Sequence, residues 1–411
     1  MRWQRKVVHI TTVHPPFDTR IFHKQAKTLV KAGVDVALIA PHEKDEVVDG
    51  VRIIALPTPR SRIERIFRLT WQALHLAWRE ECDVYHFHDP ELLPVGVALK
   101  CIQKKKKVVY DVHEDVPRQI LSKYWIPRLL RPLFARVVAT AETLGTKLLD
   151  GIVAATPAIA RRFPPNKTVT VQNFPVINEF DSVAHIPYEE RPPNVIYVGG
   201  ITAIRGAFEM VQAMELLPSH YKAKLILVGE FNPLSLKDTV SRLEGWKRVQ
   251  FLGWQSREQV VRWLGKARLG LVVLHPTSNY IDAWPVKLFE YMAAGIPVVA
   301  SEFPLWRQIV EGAGCGLLVD PLNPRAVAEA IAWLLEHPQE ARVMGERGRQ
   351  AVLEKYNWDQ EAKKLIELYK KGSNSSRSSS SVHQSSRGFP GAASYPGGER
   401  GSGPHRPALR R

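Results

Sequence analysis

The sequence predicts an α/β protein made of two doubly wound, Rossmann-like domains facing a central cleft. Three observations carry this. Short apolar runs alternate with amphipathic helical stretches from Lys6 to Val319, the pattern of a mostly parallel sheet covered by helices on both faces. Polar residues gather where apolar runs stop, at His14, at His88-Asp89 and at His113, and ligands of such sheets sit at the carboxyl ends of the strands. Between Asn173 and Asn194 the alternation lapses into a stretch holding Pro175, Pro187, Pro192 and Pro193, which marks a domain boundary.

In order, residues 6–13 read as the first strand, and Asp18 caps a helix over 19–32 that Gly33 ends before a strand at 34–40. A strand at 51–56, an amphipathic helix at 63–79, a strand at 83–87, a helix at 92–102 and a strand at 108–112 follow. A long helix at 130–149 and strands at 151–155 and 169–172 close the first half. The second half runs as strand 195–198, a Gly-Gly turn, helix 205–216, strand 224–228, helix 233–242, strand 249–252, helix 258–264 and a strand at 269–274. Pro285 opens a helix at 286–294, since its missing N–H costs nothing in a first turn, and Gly295 ends it. Strands at 297–300 and 316–319 and helices at 325–335, 340–354 and 358–371 complete the chain. The domains are then 1–177, a linker at 178–194, 195–355, a closing helix at 356–372 that packs back toward the first domain, and a tail at 373–411. That tail is rich in Ser, Gly, Pro and Arg and has too few aliphatic side chains to fold.

Composition narrows the function. Apolar residues make up 45% and charged residues 24% of the 411, as in ordinary globular proteins. Cys82, Cys101 and Cys315 are scattered, without CxxC spacing, which fits a reducing compartment and neither disulfides nor a zinc site. The basic N-terminus has an apolar run broken by His9, Thr11 and Thr12, so it reads as a strand and not a leader, and no stretch is apolar for long enough to span a bilayer. A cytoplasmic protein, at most peripheral at the inner membrane face, is expected. Of the net charge of +16, the tail's six arginines and one glutamate supply +5. The remainder is basic in its own right and favours phosphate-bearing or anionic-membrane partners. There is no P-loop, no GxSxG and no HExxH, and Gly312, Gly314 and Gly316 precede a strand instead of following one. These absences remove the common ATPase, dehydrogenase, hydrolase and zinc-protease patterns.

The densest stretch is Asn279 to Ser301, with Asp282 before a helix start and Glu290 eight positions on. The free N–H groups and positive dipole end of such a helix make an anion site, and Lys287 shares a face with Glu290. Together with EYMAAG, IPVVAS, the earlier YVGG turn and the closing Tyr356-Asn357-Trp358, this ordered set resembles the retaining GT-B glycosyltransferases of family 4, the group 1 glycosyl transferases, over most of the chain. The resemblance implies a hexosyltransferase-type enzyme that moves a sugar from a UDP- or GDP-sugar to a hydroxyl of a glycan or lipid-linked acceptor, in cell-surface polysaccharide synthesis, without cofactor or metal. It implies that Glu290 binds the ribose and that Asp282, a methylene shorter than the usual Glu, meets the sugar. Where the family has Arg and Lys on the first domain-two turn, this chain has Gly200 and Arg205, so one diphosphate cation is missing and Lys287 is its candidate replacement. His113 in YDVHED matches the family's histidine facing the donor sugar. Asp18, Arg20, His88 and Asp89 are placed on the acceptor side.

Residues 117–141 and 60–79 interleave arginines with Tyr124, Trp125, Phe134, Phe67 and Trp71, which suits an anionic membrane surface. Nucleic acid is not expected, because the aromatics lie in helices and not on a sheet platform. The alternatives are a sugar-nucleotide epimerase on the same fold and a basic, non-catalytic binding protein, which the loss of Arg at position 200 would favour.

Overall fold

A computed structural model describes residues 5–122 and 126–370. Lys123, Tyr124 and Trp125 of the basic aromatic stretch, and the tail from 373, lie outside the described residues.

The first sheet contains β1 (Lys6–Ile10), β2 (Asp35–Pro41), β3 (Glu46–Val48), β4 (Val51–Leu56), β5 (Val84–Phe87), β6 (Lys107–Val112), β7 (Gly151–Ala154) and β8 (Thr168–Thr170). Their order is β3-β4-β2-β1-β5-β6-β7-β8, parallel throughout except for the β3–β4 hairpin. The second sheet holds β9 (Asn194–Val198), β10 (Lys224–Val228), β11 (Val249–Gly253), β12 (Leu269–Val272), β13 (Val298–Ser301) and β14 (Gly316–Val319) in the order β11-β10-β9-β12-β13-β14. In each sheet the strand order reverses once, between β1 and β5 and between β9 and β12, and a crevice opens at such a point.

The central strands are continuous apolar runs because helices cover both faces. Val36, Ala37, Leu38, Ile39 and Ala40 of β2 are fully buried, each large side chain contributing about 1.5–3 kcal/mol by its removal from water. The β3–β4 hairpin was not expected, although Asp49-Gly50 is its signal: both residues have positive φ, 51° and 80°, as a two-residue hairpin turn requires. Helices at Val116–Ser122 and Pro304–Ala313 were also not expected.

The stretch read as a linker is a correction. It is wound into short helices at Ile177–Phe180, Asp181–Ala184 and Tyr188–Glu190, with Phe180, Val183 and Tyr188 buried in the second domain's cores. It is folded into that domain because these apolar side chains have a core to enter. The last helix, Trp358–Lys370, crosses back: Trp358, Ala362, Leu365 and Tyr369 pack with Val7, Phe22 and Val36 of the first domain. Trp358 donates its indole N–H to Thr28 Oγ1 at 2.8 Å and its backbone N–H to the carbonyl of Pro175 at 2.9 Å.

Candidate active site

A cavity of about 940 Å³ lies between the two domains, lined from the first by His14, Asp18, His88, Asp89 and His113 and from the second by Arg205, Tyr280, Asp282 and Trp284.

On the first domain's side, parallel pairing of β1 with β5 sets His9 beside His86, and His88 and Asp111 follow at the strand ends. His9 Nδ1 lies 2.8 Å from His88 Nε2, and His88 Nδ1 lies 3.1 Å from His113 Nε2. His113 Nε2 is also 3.3 Å from Asp111 Oδ2. The carboxylate is gripped from below, since Arg20 Nε and Nη2 donate to its two oxygens at 3.1 and 2.8 Å and Gln25 Nε2 donates at 2.6 Å. Burial alone would raise the Asp111 pKa, but Arg20 and His113 hold it well below the ordinary carboxylate range. Burial pushes His88 down to about 3 and holds His9 and His86 well below the usual value, so these three rings are neutral packing elements. His88, Asp111 and His113 present ligand atoms close enough for a metal ion. The Arg20 guanidinium already covers both Asp111 oxygens, and a cation there would meet a charge of its own sign.

Arg20, His88 and Asp89, placed on the acceptor side, all line the cavity and are held from within the domain. Arg20 is buried and donates to Asp111 and to the Val171 carbonyl at 2.8 Å. Asp89, 2% exposed, accepts from the Thr11 hydroxyl at 2.9 Å and the Thr12 N–H at 2.6 Å; it shapes the loop after β1. His88, equally buried, lies behind His113 and orients it. Asp18 is the helix cap its position suggested, accepting from the N–H groups of Arg20 and Ile21 at 2.8 and 2.9 Å. His14, expected with His88 and His113 at the ligand-binding strand ends, has its ring centroid 4.9 Å from that of His113. Burial would lower its pKa, but Asp18 and Asp89, each 3.6 Å away, raise it.

On the second domain's side, the Gly199-Gly200 turn after β9 is crowded by cations. A Cβ at Gly199 would fall 3.4 Å from Lys287 Nζ, and one at Gly200 would fall 3.1 Å from Arg205 Nη1. Arg205 donates to Tyr280 Oη at 3.0 Å and to the Gly200 carbonyl at 3.3 Å, while Lys287 Nζ donates to Tyr197 Oη at 3.1 Å. The space that a side chain at position 200 would fill is thus taken by Arg205. Burial, and then the neighbouring Arg205 charge, lowers Lys287 to about 7. An anion on this turn would restore its charge.

Glu290 is 6% exposed and accepts from Arg257 Nη1 at 2.6 Å, while Arg257 Nε donates to Glu179 at 2.8 Å. Arg257 was missed, because nothing in its sequence neighbourhood says that position 290 is its partner. Asp282 is met across the cleft by Arg118, at 3.0 Å with both side chains roughly half exposed, and Arg118 was likewise unassigned. The cavity brings together His113, Arg205 and Asp282. Gly200, Lys287 and Glu290 flank Arg205 and do not belong to the cavity wall.

Two facing parallel-sheet domains with a cleft between them have the architecture of the GT-B fold. The family comparison is specific: the model described as Glycosyltransferase Family 4 matches residues 19–173, and the model described as Glycosyl transferases group 1 matches residues 179–351. The chain belongs to the group 1 glycosyltransferases. Among characterised relatives, N-acetyl-alpha-D-glucosaminyl L-malate synthase of Bacillus anthracis is 24% identical over 72% of this chain and 75% of its own. D-inositol 3-phosphate glycosyltransferase of Corynebacterium urealyticum is 29% identical, but over only 42% of either chain. A match to an uncharacterized glycosyltransferase of Methanocaldococcus jannaschii is similarly partial, at 44% of that protein. In structure, sucrose-phosphate synthase of Thermosynechococcus elongatus superposes with a TM-score of 0.71 at 22% identity, covering 89% of this chain and 98% of that one. HepE of Anabaena, solved with UDP and glucose, gives a TM-score of 0.67 at 16% identity over 89% and 100%. These likenesses establish the shared fold.

Proposed function

We propose that the protein is a retaining hexosyltransferase that moves a sugar from UDP- or GDP-sugar to a hydroxyl of a glycan or lipid-linked acceptor during cell-surface polysaccharide assembly. The observation that carries this reading is the convergence of Arg205 and Lys287 on the Gly199-Gly200 turn, with Arg205 lining the cleft that His113 enters from the opposite domain. The two cations take the diphosphate and stabilise the charge that builds there as the glycosidic bond breaks. Glu290, held by Arg257, presents its remaining oxygen to the ribose. Asp282 meets the donor sugar's hydroxyls. His113, oriented by His88 and Asp111, faces the sugar from the other side and lends its ring to a hydroxyl or to the developing positive charge. The acceptor hydroxyl attacks the face the diphosphate leaves and gives its proton to the departing phosphate oxygen, so anomeric configuration is retained. The protein's contribution to the step is position and field.

The filling of the Gly200 space by Arg205 also bears on the non-catalytic alternative, since the lost Arg leaves two cations at the turn. The test is release of nucleoside diphosphate across a panel of UDP- and GDP-sugars, with product anomers assigned by NMR. Activity with one donor class and an α-to-α or β-to-β outcome supports the reading. No binding or hydrolysis of any donor would overturn it.

A further inference from the structure

We propose that the outer face formed by the helices over 62–79 and 131–148 is a docking surface for an anionic lipid bilayer, and that it sets the mouth of the cleft against the membrane. This deepens the lipid-linked acceptor in the reading above by naming the side from which it arrives.

The two helices lie on the same face of the first sheet, with Leu93–Ile102 between them: Ala73, Ala77, Leu93 and Leu99 share one core, and Gly145 is so close to Leu93 that a Cβ there would fall 2.8 Å from it. Their outward sides are not polar. Phe67 is 73%, Trp71 71%, Leu129 93% and Leu133 60% exposed, with Phe134 and Val137 close behind. Large exposed apolar side chains on each of the two helices mark an interaction surface. Arg60, Arg128 and Arg136 are exposed among them.

Charge decides the occupant. The nearby carboxylates are already engaged: Glu64 accepts from Arg68 at 2.9 Å, Glu91 from Arg65 at 2.7 Å, and Glu142 is buried against Arg162. A second copy docking through a two-fold axis would bring arginine against arginine. A surface of lipid tails beneath anionic headgroups satisfies both components, with aromatic and leucine side chains entering the acyl boundary and arginines meeting phosphates. The position is functional as well, because Arg65, one residue before the exposed Ile66-Phe67 pair, lines the cleft cavity with Glu91 and Arg118. An acceptor anchored in the bilayer would enter over this rim.

The full chain is sedimented with vesicles of phosphatidylcholine alone and with phosphatidylglycerol added, in the absence of any donor. Binding to the anionic vesicles that weakens with salt is expected, as screening of the arginines requires. The pairs Phe67→Ser with Trp71→Ser, and Leu133→Ser with Val137→Ser, should each lower partitioning by at least about tenfold, with melting temperature and acceptor-free donor hydrolysis unchanged. No vesicle binding, equal binding to neutral vesicles, or a dimer that the same variants dissolve would overturn the proposal. Vesicle binding and donor hydrolysis are read separately, so the lipid surface and the sugar-transfer reading can fail independently.

Discussion

The two walls of the cleft solve opposite problems. The first domain's wall is internally bonded: His9, His88, His113, Asp111, Arg20 and Gln25 form a connected network that grips the deep carboxylate, while His9 Nε2 and Gln25 Oε1 have no partner among the described residues. The second domain's wall is unbalanced. Among the described residues, neither Arg205 nor Lys287 forms an ion pair with a carboxylate, and Lys287 is held near loss of its proton. An internally bonded network fixes a shape regardless of ligand, whereas uncompensated cations wait for an anion. In the proposed reading the bonded wall orients the sugar and the cationic wall holds the phosphate.

Arg205→Ala tests the unbalanced wall most severely. It should cut donor turnover by about 10²–10³-fold in k-cat, the usual loss when a donor aimed at developing charge is removed, with little change in thermal unfolding. A loss below threefold, roughly within 1 kcal/mol, would show that the turn does not hold the diphosphate.

The histidine wall is probed by His113→Ala, which should lower turnover by about 10²-fold while leaving UDP or GDP affinity, measured by calorimetry, nearly unchanged. If nucleotide affinity collapsed as well, the division of labour between the walls would be wrong.

A pH series separates the walls without mutation. Lys287 titrates at about 7 in the free protein, and a bound diphosphate raises that value. Below pH 7 the amine is already charged and affinity is at its plateau. Above it, binding must take up a proton, so nucleotide affinity falls by up to about tenfold per pH unit until the bound-state pKa is reached. Lys287→Arg should flatten the slope, and a wild-type profile already flat from pH 6 to 9 would remove Lys287 from the phosphate site.

The smallest effect belongs to the contact that joins the walls. Arg118→Ala breaks an exposed pair with Asp282 and should change the stability of the chain by less than about 1 kcal/mol in denaturant unfolding. A larger change would mean the pair holds the cleft in its present opening.

The sequence made the framework legible because strand runs such as 35–41 and 269–272 are apolar on both faces and end at polar residues. The hairpin at Asp49-Gly50 was equally legible and went unread, because three-residue β3 is too short to show alternation. Side-chain direction was harder. Arg20 and Asp89 sit at strand and helix ends where ligands bind, and only the fold reveals that both turn inward to bind Asp111 and the β1 loop. Arg257 and Arg118 escaped for a different reason: their partners, Glu290 and Asp282, are distant in sequence and joined to them only by the assembled cleft. The pair Arg205 and Lys287 was within reach, since the absent side chain at position 200 pointed to a substitute.

The returning helix at Trp358–Lys370 means that the peptide passes between the domains twice, and the two passages run side by side where the Trp358 N–H meets the Pro175 carbonyl. A fragment ending before residue 356 would leave Val7 and Phe22 without the helix that covers them.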